Sequence, residues 1–305
     1  MNRLIQIVLF CLLSCGCSWG QQVADSTYLP PITAPMYASN MGPVVYIDAG
    51  HNNFHTRTGR YRSFAHLLER DGYRVQSYTG LFEQEKLEQC AIMVVSNALH
   101  TSNVADWFLP TPSAFTQSEI KTMVAWVKGG GSLFLIADHM PMAGAAEELA
   151  KAFGFEFTNG FVLHRQSQGQ GHFTLQNGLL QAGTIQQGRN EQERVDQITT
   201  FTGQAFKIPK EASSILTFDH NYINLLPDTA WVFDATTKQY PVEGWSQGAS
   251  LTFGKGRIAV FGEAAMFSAQ LAGPNQIKMG MNNPVAAQNH QLLLNLIHWL
   301  DHQLD

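Results

Sequence analysis

The sequence predicts an α/β fold: a parallel sheet covered by helices on both faces and interrupted by a β-rich insertion. Three observations predict it. Val44-Val-Tyr-Ile47, Cys90-Ala-Ile-Met-Val-Val-Ser96 and Ser132-Leu-Phe-Leu-Ile-Ala137 are continuous apolar runs, as expected of strands buried on both faces. Stretches with helical period separate them. Each run also ends in polar residues and not in a hairpin turn: Asp48-Ala-Gly-His51, Asn97-Ala-Leu-His100 and Asp138-His139.

Taken in order, the chain starts with Asn2-Arg3 and an apolar stretch, 4–13, of signal-peptide length. Residues 1–20 are expected to be a leader. Leu12-Leu13-Ser14-Cys15 has the form of a bacterial lipobox with Cys15 as the lipidated residue; Cys17 is a second position, and plain secretion is the alternative. The expectation is an exported, periplasmic or outer-membrane lipoprotein, held to the membrane by its N-terminal lipid. Cys11, Cys15 and Cys17 belong to this leader, so of four cysteines Cys90 alone remains in the folded part. An intramolecular disulfide is thereby excluded there, as is a cysteine-based metal site. Residues 21–41, with Pro30, Pro31 and Pro35 and no apolar period, read as a tether.

The folded domain is expected over 42–305. Tyr61, Phe64, Ala65 and Leu68 recur at i, i+3, i+4 and i+7, and Asp71-Gly72 closes that helix. Residues 73–78 are a second strand, 81–89 a short helix, and 90–96 a third strand. The loop 101–114, with Trp107 and Phe108, suits either a lid or a buried apolar loop. Thr116-Gln-Ser-Glu119 is a capping box before the helical face Ile120, Met123, Val124 and Val127. After the fourth strand, Pro141 opens a helix ending at Gly154. A strand-like, turn-rich insertion follows, about 155–248. Two strands joined by Gly254-Lys255-Gly256 then form a hairpin. Asn283-Pro284 is expected to start the last helix, which carries Leu292, Leu293, Leu296, Ile297 and Leu300.

With 305 residues, 45% hydrophobic and 14% charged, the chain is long enough for one large domain. A net charge of −5 and a pI near 6.1 exclude a general nucleic-acid binder, which needs a basic face.

Val44-Val-Tyr-Ile-Asp-Ala-Gly-His51, Met93-Val-Val-Ser-Asn97, Gly130-Gly-Ser-Leu-Phe-Leu-Ile-Ala-Asp138 and Phe253-Gly-Lys-Gly-Arg257 resemble the class I glutamine amidotransferase-like superfamily. That resemblance implies a flavodoxin-like sheet over roughly 42–153 and 249–300. Asp138-His-Met-Pro-Met-Ala-Gly-Ala-Ala146 and Gly262-Glu-Ala-Ala-Met-Phe-Ser-Ala-Gln270 are more closely similar to an exported bacterial branch without the catalytic cysteine. The departure is informative. Amidotransferases carry Gly-x-Cys-x-Gly after a strand and a distant His-x-Glu; here Ser96-Asn-Ala-Leu-His100 stands at the elbow and the C-terminal region has no His-x-Glu. Glutamine hydrolysis is therefore not expected, and no Gly-x-Ser-x-Gly elbow supports serine-hydrolase chemistry.

If the strands are parallel, Asp48, His51, Asn97, His100, Asp138, His139 and Glu263 share the carboxyl rim, where open α/β sheets bind ligands. Asp48, His51, Asp138, His139 and Glu263 are the candidates for chemistry; Asn52, His55, Asn97, His100 and Arg57 are candidates for binding. Asp48, His51, Asp138 and His139 could hold a divalent transition metal of the Zn²⁺, Mn²⁺ or Fe²⁺ class, whose bound water would be the nucleophile. A metal-free polar site uses the same groups, and so do helix caps and loop contacts. Arg57, Arg60 and Arg62 either grip an anion or form a solvated face; Trp107, Phe108 and Trp245 could stack on sugar rings. The function expected is hydrolysis of a small molecule or saccharide outside the cytoplasm, metal-assisted or not. Its rival is a non-catalytic envelope module that binds a glycan or a protein.

Overall fold

The computed structural model describes residues 22–166 and 169–305. The expected leader and Cys15 lie outside the described residues. The chain runs β1 (Val44–Asp48), α1 (Arg62–Arg70), β2 (Arg74–Tyr78), β3 (Ile92–Ser96), α2 (Gln117–Gly129), β4 (Ser132–Ile136), α3 (Met142–Lys151), β5 (Ser213–Thr217), β6 (Ser246–Phe253), β7 (Gly256–Phe261) and α4 (Asn289–Leu300). These strands form one seven-stranded sheet in the order β2-β1-β3-β4-β7-β6-β5. From β2 to β7 neighbours are parallel; β7–β6 and β6–β5 are antiparallel. The hairpin pairs Phe253 with Gly256 and so turns the chain back on itself, which gives this side of the sheet its mixed character.

Period-2 alternation assigns the strand residues to two cores. Val45, Ile47, Ile92, Val94, Phe134, Ile136, Ala259 and Phe261 face Phe64, Leu68, Leu293 and Ile297 of α1 and α4. Met93, Val95, Leu133, Leu135, Ile258 and Val260 face Ile120, Met123, Val127 and Leu149 of α2 and α3. The continuous apolar text of the strands follows from this two-sided burial.

Helix ends are set by local chemistry. The Thr116 hydroxyl accepts from Glu119 N while the Glu119 carboxylate accepts from Thr116 N, which completes the capping box. Gly72 follows α1 with φ +98, and a Cβ there would sit 2.4 Å from the Tyr37 carbonyl oxygen, so the position requires glycine. The Asn283 side chain caps a single 3₁₀ turn, Pro284–Ala286, and not the last helix, which begins at Asn289.

The expected tether is part of the domain from residue 22 onward. Gln22–Ala24 pairs as a strand with Ala269–Ala272. Asp25 is buried and accepts from Asn282 Nδ2. Asp71 Oδ1 accepts from Met36 N, and Asp71 Oδ2 lies 2.6 Å from His298 Nε2 in the core. Polar side chains and aromatic rings anchor this proline-rich segment without any apolar period. The strand-rich stretch after 155 forms a three-stranded antiparallel sheet (Phe161–His164, Tyr222–Leu226, Lys238–Pro241) and a two-stranded one (Gly171–Thr174, Gln197–Thr200), and supplies β5 to the main sheet.

Candidate functional site

The carboxyl ends of β1 and of β3, β4 and β7 hold two separate clusters. Alternation sends Asp48 to the same side as Tyr46, beneath the start of α2. There Asp48 Oδ2 lies 2.8 Å from His51 Nδ1, and His51 Nε2 lies 2.8 Å from Glu119 Oε1. Both carboxylates can only accept, so both ring nitrogens carry protons. All three side chains are buried, at 0%, 4% and 3% exposure, and Phe82 and Phe115 pack on the imidazole. Burial works against the charge on His51, but the bonds and charges of Asp48 and Glu119 outweigh it and raise the imidazole above its ordinary value. Glu119 is correspondingly held below the usual carboxylate range, burial being overcome by bonds from Thr116, His51 and Phe82.

The second cluster lines a cavity of about 310 Å³ over the ends of β3, β4 and β7. Asn97, directly after β3, is its organiser and sits at φ 48, a left-handed conformation that asparagine tolerates. Asn97 Oδ1 accepts from Asp138 N at 2.8 Å, which fixes the amide orientation. Nδ2 then faces His55 Nδ1 at 3.2 Å, so that nitrogen accepts and His55 carries its proton on Nε2, which is buried without a partner. Burial, assisted by the Arg60 charge, pushes His55 down to about 3, and the ring is neutral.

His139 Nδ1 lies 2.7 Å from the Met140 carbonyl oxygen, so Nδ1 donates and the Nε2 lone pair remains available, 3.9 Å from Asp138 Oδ1. Its ring stacks on Phe161 at 4.1 Å and meets the edge of Trp231 at 4.7 Å. Burial lowers its basicity despite Asp138 and the Met140 carbonyl. Glu263, after β7, is 1% exposed and accepts from Ala265 N and Met266 N at 2.8 Å each. Burial and then the Asp138 charge raise Glu263 well above its ordinary value, against those backbone donors. Trp107 and Trp231 form the outer wall. Their loops are joined by Ala230 N donating to the Trp107 carbonyl and by a bridge between Phe108 and Thr229.

Asp138, His139, Glu263, His55 and Asn97 thus line one cavity. Asp48 and His51 do not: their side chains face α2 and are consumed in ion pairing. Asn52 donates to the Leu99 carbonyl, His100 caps the turn Thr101–Asn103, and Arg57 pairs with Glu69 at 2.6 Å. Trp245 packs on Tyr240. The quartet Asp48, His51, Asp138 and His139 does not form a metal centre, because the first two spend their donor atoms on one another and on Glu119. Among the described residues no group of three or more His, Cys, Asp or Glu side chains is placed to hold an ion. Cys90 lies ahead of β3, half-buried, with burial pushing its thiol up to about 12, so it is no nucleophile for this cavity. Arg60 also lines the cavity, though nothing in its spacing separates it from Arg57 and Arg62. Phe201 and Trp231 are pocket residues that pattern reading does not select, since no local motif marks them.

No family model and no curated protein matches the chain by sequence. The N-terminal domain of mmIFT52 is similar in structure over 84% of this chain and 97% of that one, with TM-score 0.58 and 14% identity. At that identity the likeness shows the fold alone. More distant similarities include a ThuA-like protein from Bacteroides uniformis (10% identity, 89% of this chain, 94% of that one, TM-score 0.45). A GMP synthase-like protein from Thermoplasma acidophilum is similar over 85% of this chain and 94% of that one, with 10% identity and TM-score 0.42.

Proposed function

We propose that the cavity is the active site of a hydrolase that cleaves a small molecule or saccharide, with Asp138 and Glu263 as a carboxylate pair. The observation that carries this reading is that Glu263, 1% exposed, and Asp138, 14% exposed, line one cavity, where burial and the Asp138 charge raise Glu263 well above its ordinary value. Carboxyl groups whose environments separate their proton affinities are a recurrent acid and base pair. Asp138, as the base of the pair, takes a proton from a water molecule, whose oxygen bonds to the electrophilic carbon. Glu263 gives its proton to the departing oxygen as the bond between that oxygen and the carbon breaks. The uncharged His139 presents Nε2 as an acceptor for a substrate hydroxyl, and Trp107 and Trp231 offer faces to a sugar ring. No step needs a metal, and the donor set does not suit one.

The parallel strand order β2-β1-β3-β4-β7 is the 2-1-3-4-5 order of flavodoxin-like sheets and supports placing the fold with the class I amidotransferase-like proteins. With no cysteine at the cavity, glutamine hydrolysis is not part of the proposal. Export and lipid attachment through Cys15 remain part of it, on the strength of the lipobox. The test is a screen of nitrophenyl glycosides and esters between pH 5 and 8 with wild type, Asp138→Asn and Glu263→Gln. Loss of an acid or base group should lower turnover ~10²- to 10⁴-fold. Hydrolysis that survives both substitutions refutes the pair. Ligand binding without turnover in the wild type would favour the non-catalytic module.

A further inference from the structure

Arg60 is half-buried in the lining of the cavity, and three other half-buried arginines differ from it in having a carboxylate partner. Arg57 pairs with Glu69, Arg189 with Glu193 and Arg257 with Asp305. Arg60 lines the cavity with its guanidinium carbon 3.7 Å above the Phe54 ring and a long 3.4 Å bond from Nη1 to the Phe54 carbonyl. Its Nε is buried without a partner, and among the described residues no carboxylate pairs with it. A guanidinium withdrawn from water and left unpaired is costly. Burial alone, with no carboxylate offsetting it, weakens the protonated form. The Phe54 face fixes the plane of the fork and leaves its donors for a planar or tetrahedral oxyanion. Asp138 does not pair with Arg60; its Oδ1 accepts from His139 N.

Resting on the hydrolase reading, we propose that the substrate carries an anionic group, a carboxylate or a phosphate monoester, and that Arg60 holds it while the bond to be cleaved lies at Asp138 and Glu263. The ligand then completes two sets of groups that the protein leaves open: the Arg60 fork at one place and the carboxylate pair at another. A neutral sugar would satisfy only the second.

The test is calorimetric titration of the full chain with D-glucuronate, D-glucose 6-phosphate and D-glucose, in wild type, Arg60→Gln and Arg60→Lys. A charge-assisted bond predicts that one of the two anionic sugars binds ~10- to 100-fold more tightly than glucose. Arg60→Gln should bring that sugar to the level of glucose, with glucose itself unchanged as the control for folding, and Arg60→Lys should recover part of the preference. The anion that gains more identifies carboxylate or phosphate as the group recognised. Equal affinity for charged and neutral sugars, or a preference that Arg60→Gln leaves intact, overturns the assignment to Arg60. It leaves the hydrolase reading standing, since that reading is tested separately by turnover in wild type, Asp138→Asn and Glu263→Gln. No binding by any of the three sugars overturns the anionic-sugar assignment as well.

Discussion

Glu119→Gln tests the buried cluster under β1, removing a charge and one accepting oxygen at once. In the wild type Glu119 accepts from Thr116 N (2.9 Å) and Thr116 Oγ1 (2.8 Å) on one oxygen, and from Phe82 N (3.1 Å) on the other, which also faces His51. Glutamine has a single amide oxygen: turned to Thr116 it keeps the capping box, and its NH₂ then faces the Phe82 N–H and the imidazolium, so the bond from His51 is lost together with the negative charge. A hydrogen bond to a charged group contributes ~1.5–3 kcal/mol. Asp48 continues to balance His51, so the ~3–5 kcal/mol of a fully broken buried pair is not expected. The predicted loss is therefore ~1.5–3 kcal/mol by urea unfolding at pH 6. His51 is raised above 6.5, so its contribution is complete below that value and fades as pH rises through the folded value. Glu119 is lowered from 4.5, so its contribution is present above that value and fades as pH falls through the folded one. The gap between wild type and variant should be widest between these two pH values and shrink in alkali. Equal stability at pH 6, or a gap that widens with pH, would refute an ion-paired His51.

Other outcomes follow from the same geometry. Glu263 is raised above 4.5, so wild type should lose stability as pH rises through its folded value, and Glu263→Gln should gain on it there in parallel melts. Asp71→Ala leaves the fully buried His298 and the Met36 amide unpaired and should cost ~3–5 kcal/mol in urea unfolding. Gly72→Ala forces a side chain into a positive φ against the Tyr37 carbonyl; a loss above ~1 kcal/mol is expected, and a neutral result would show that this turn relaxes. Trp231→Ala, on a substrate found by the screen, should raise KM more than it lowers kcat, since the ring lines the cavity and packs against His139.

The strands and their polar ends were legible because two-sided burial leaves an unbroken apolar text, and a charged residue at its end marks the rim. The direction of those end residues was legible only in part. Asp48 follows Tyr46 by two positions, so alternation alone turns it toward α2, away from Asp138. Its partner Glu119 looked complete as a capping-box residue, and nothing local announces a bond to a histidine 68 positions earlier. Arg60 stood beside Arg57 and Arg62 with no local mark; its place in the cavity lining over the Phe54 ring, without a carboxylate partner, sets it apart. Phe201 and Trp231 come from the strand-rich insertion, whose short strands meet the rim through pairings far apart in the chain. The segment 22–41 was misleading because Asp25, Tyr37 and Met36 hold it by polar and aromatic contacts that produce no periodic signal.

Gln22 itself borders the cavity, whereas Arg257, at the amino end of β7 and so at the far end of the sheet, holds the carbonyl of Leu304. The two ends of the folded chain therefore leave from opposite poles. A solid support, fluorophore or affinity handle joined ahead of Gln22 crowds the entrance, while one joined after Asp305 leaves it facing outward.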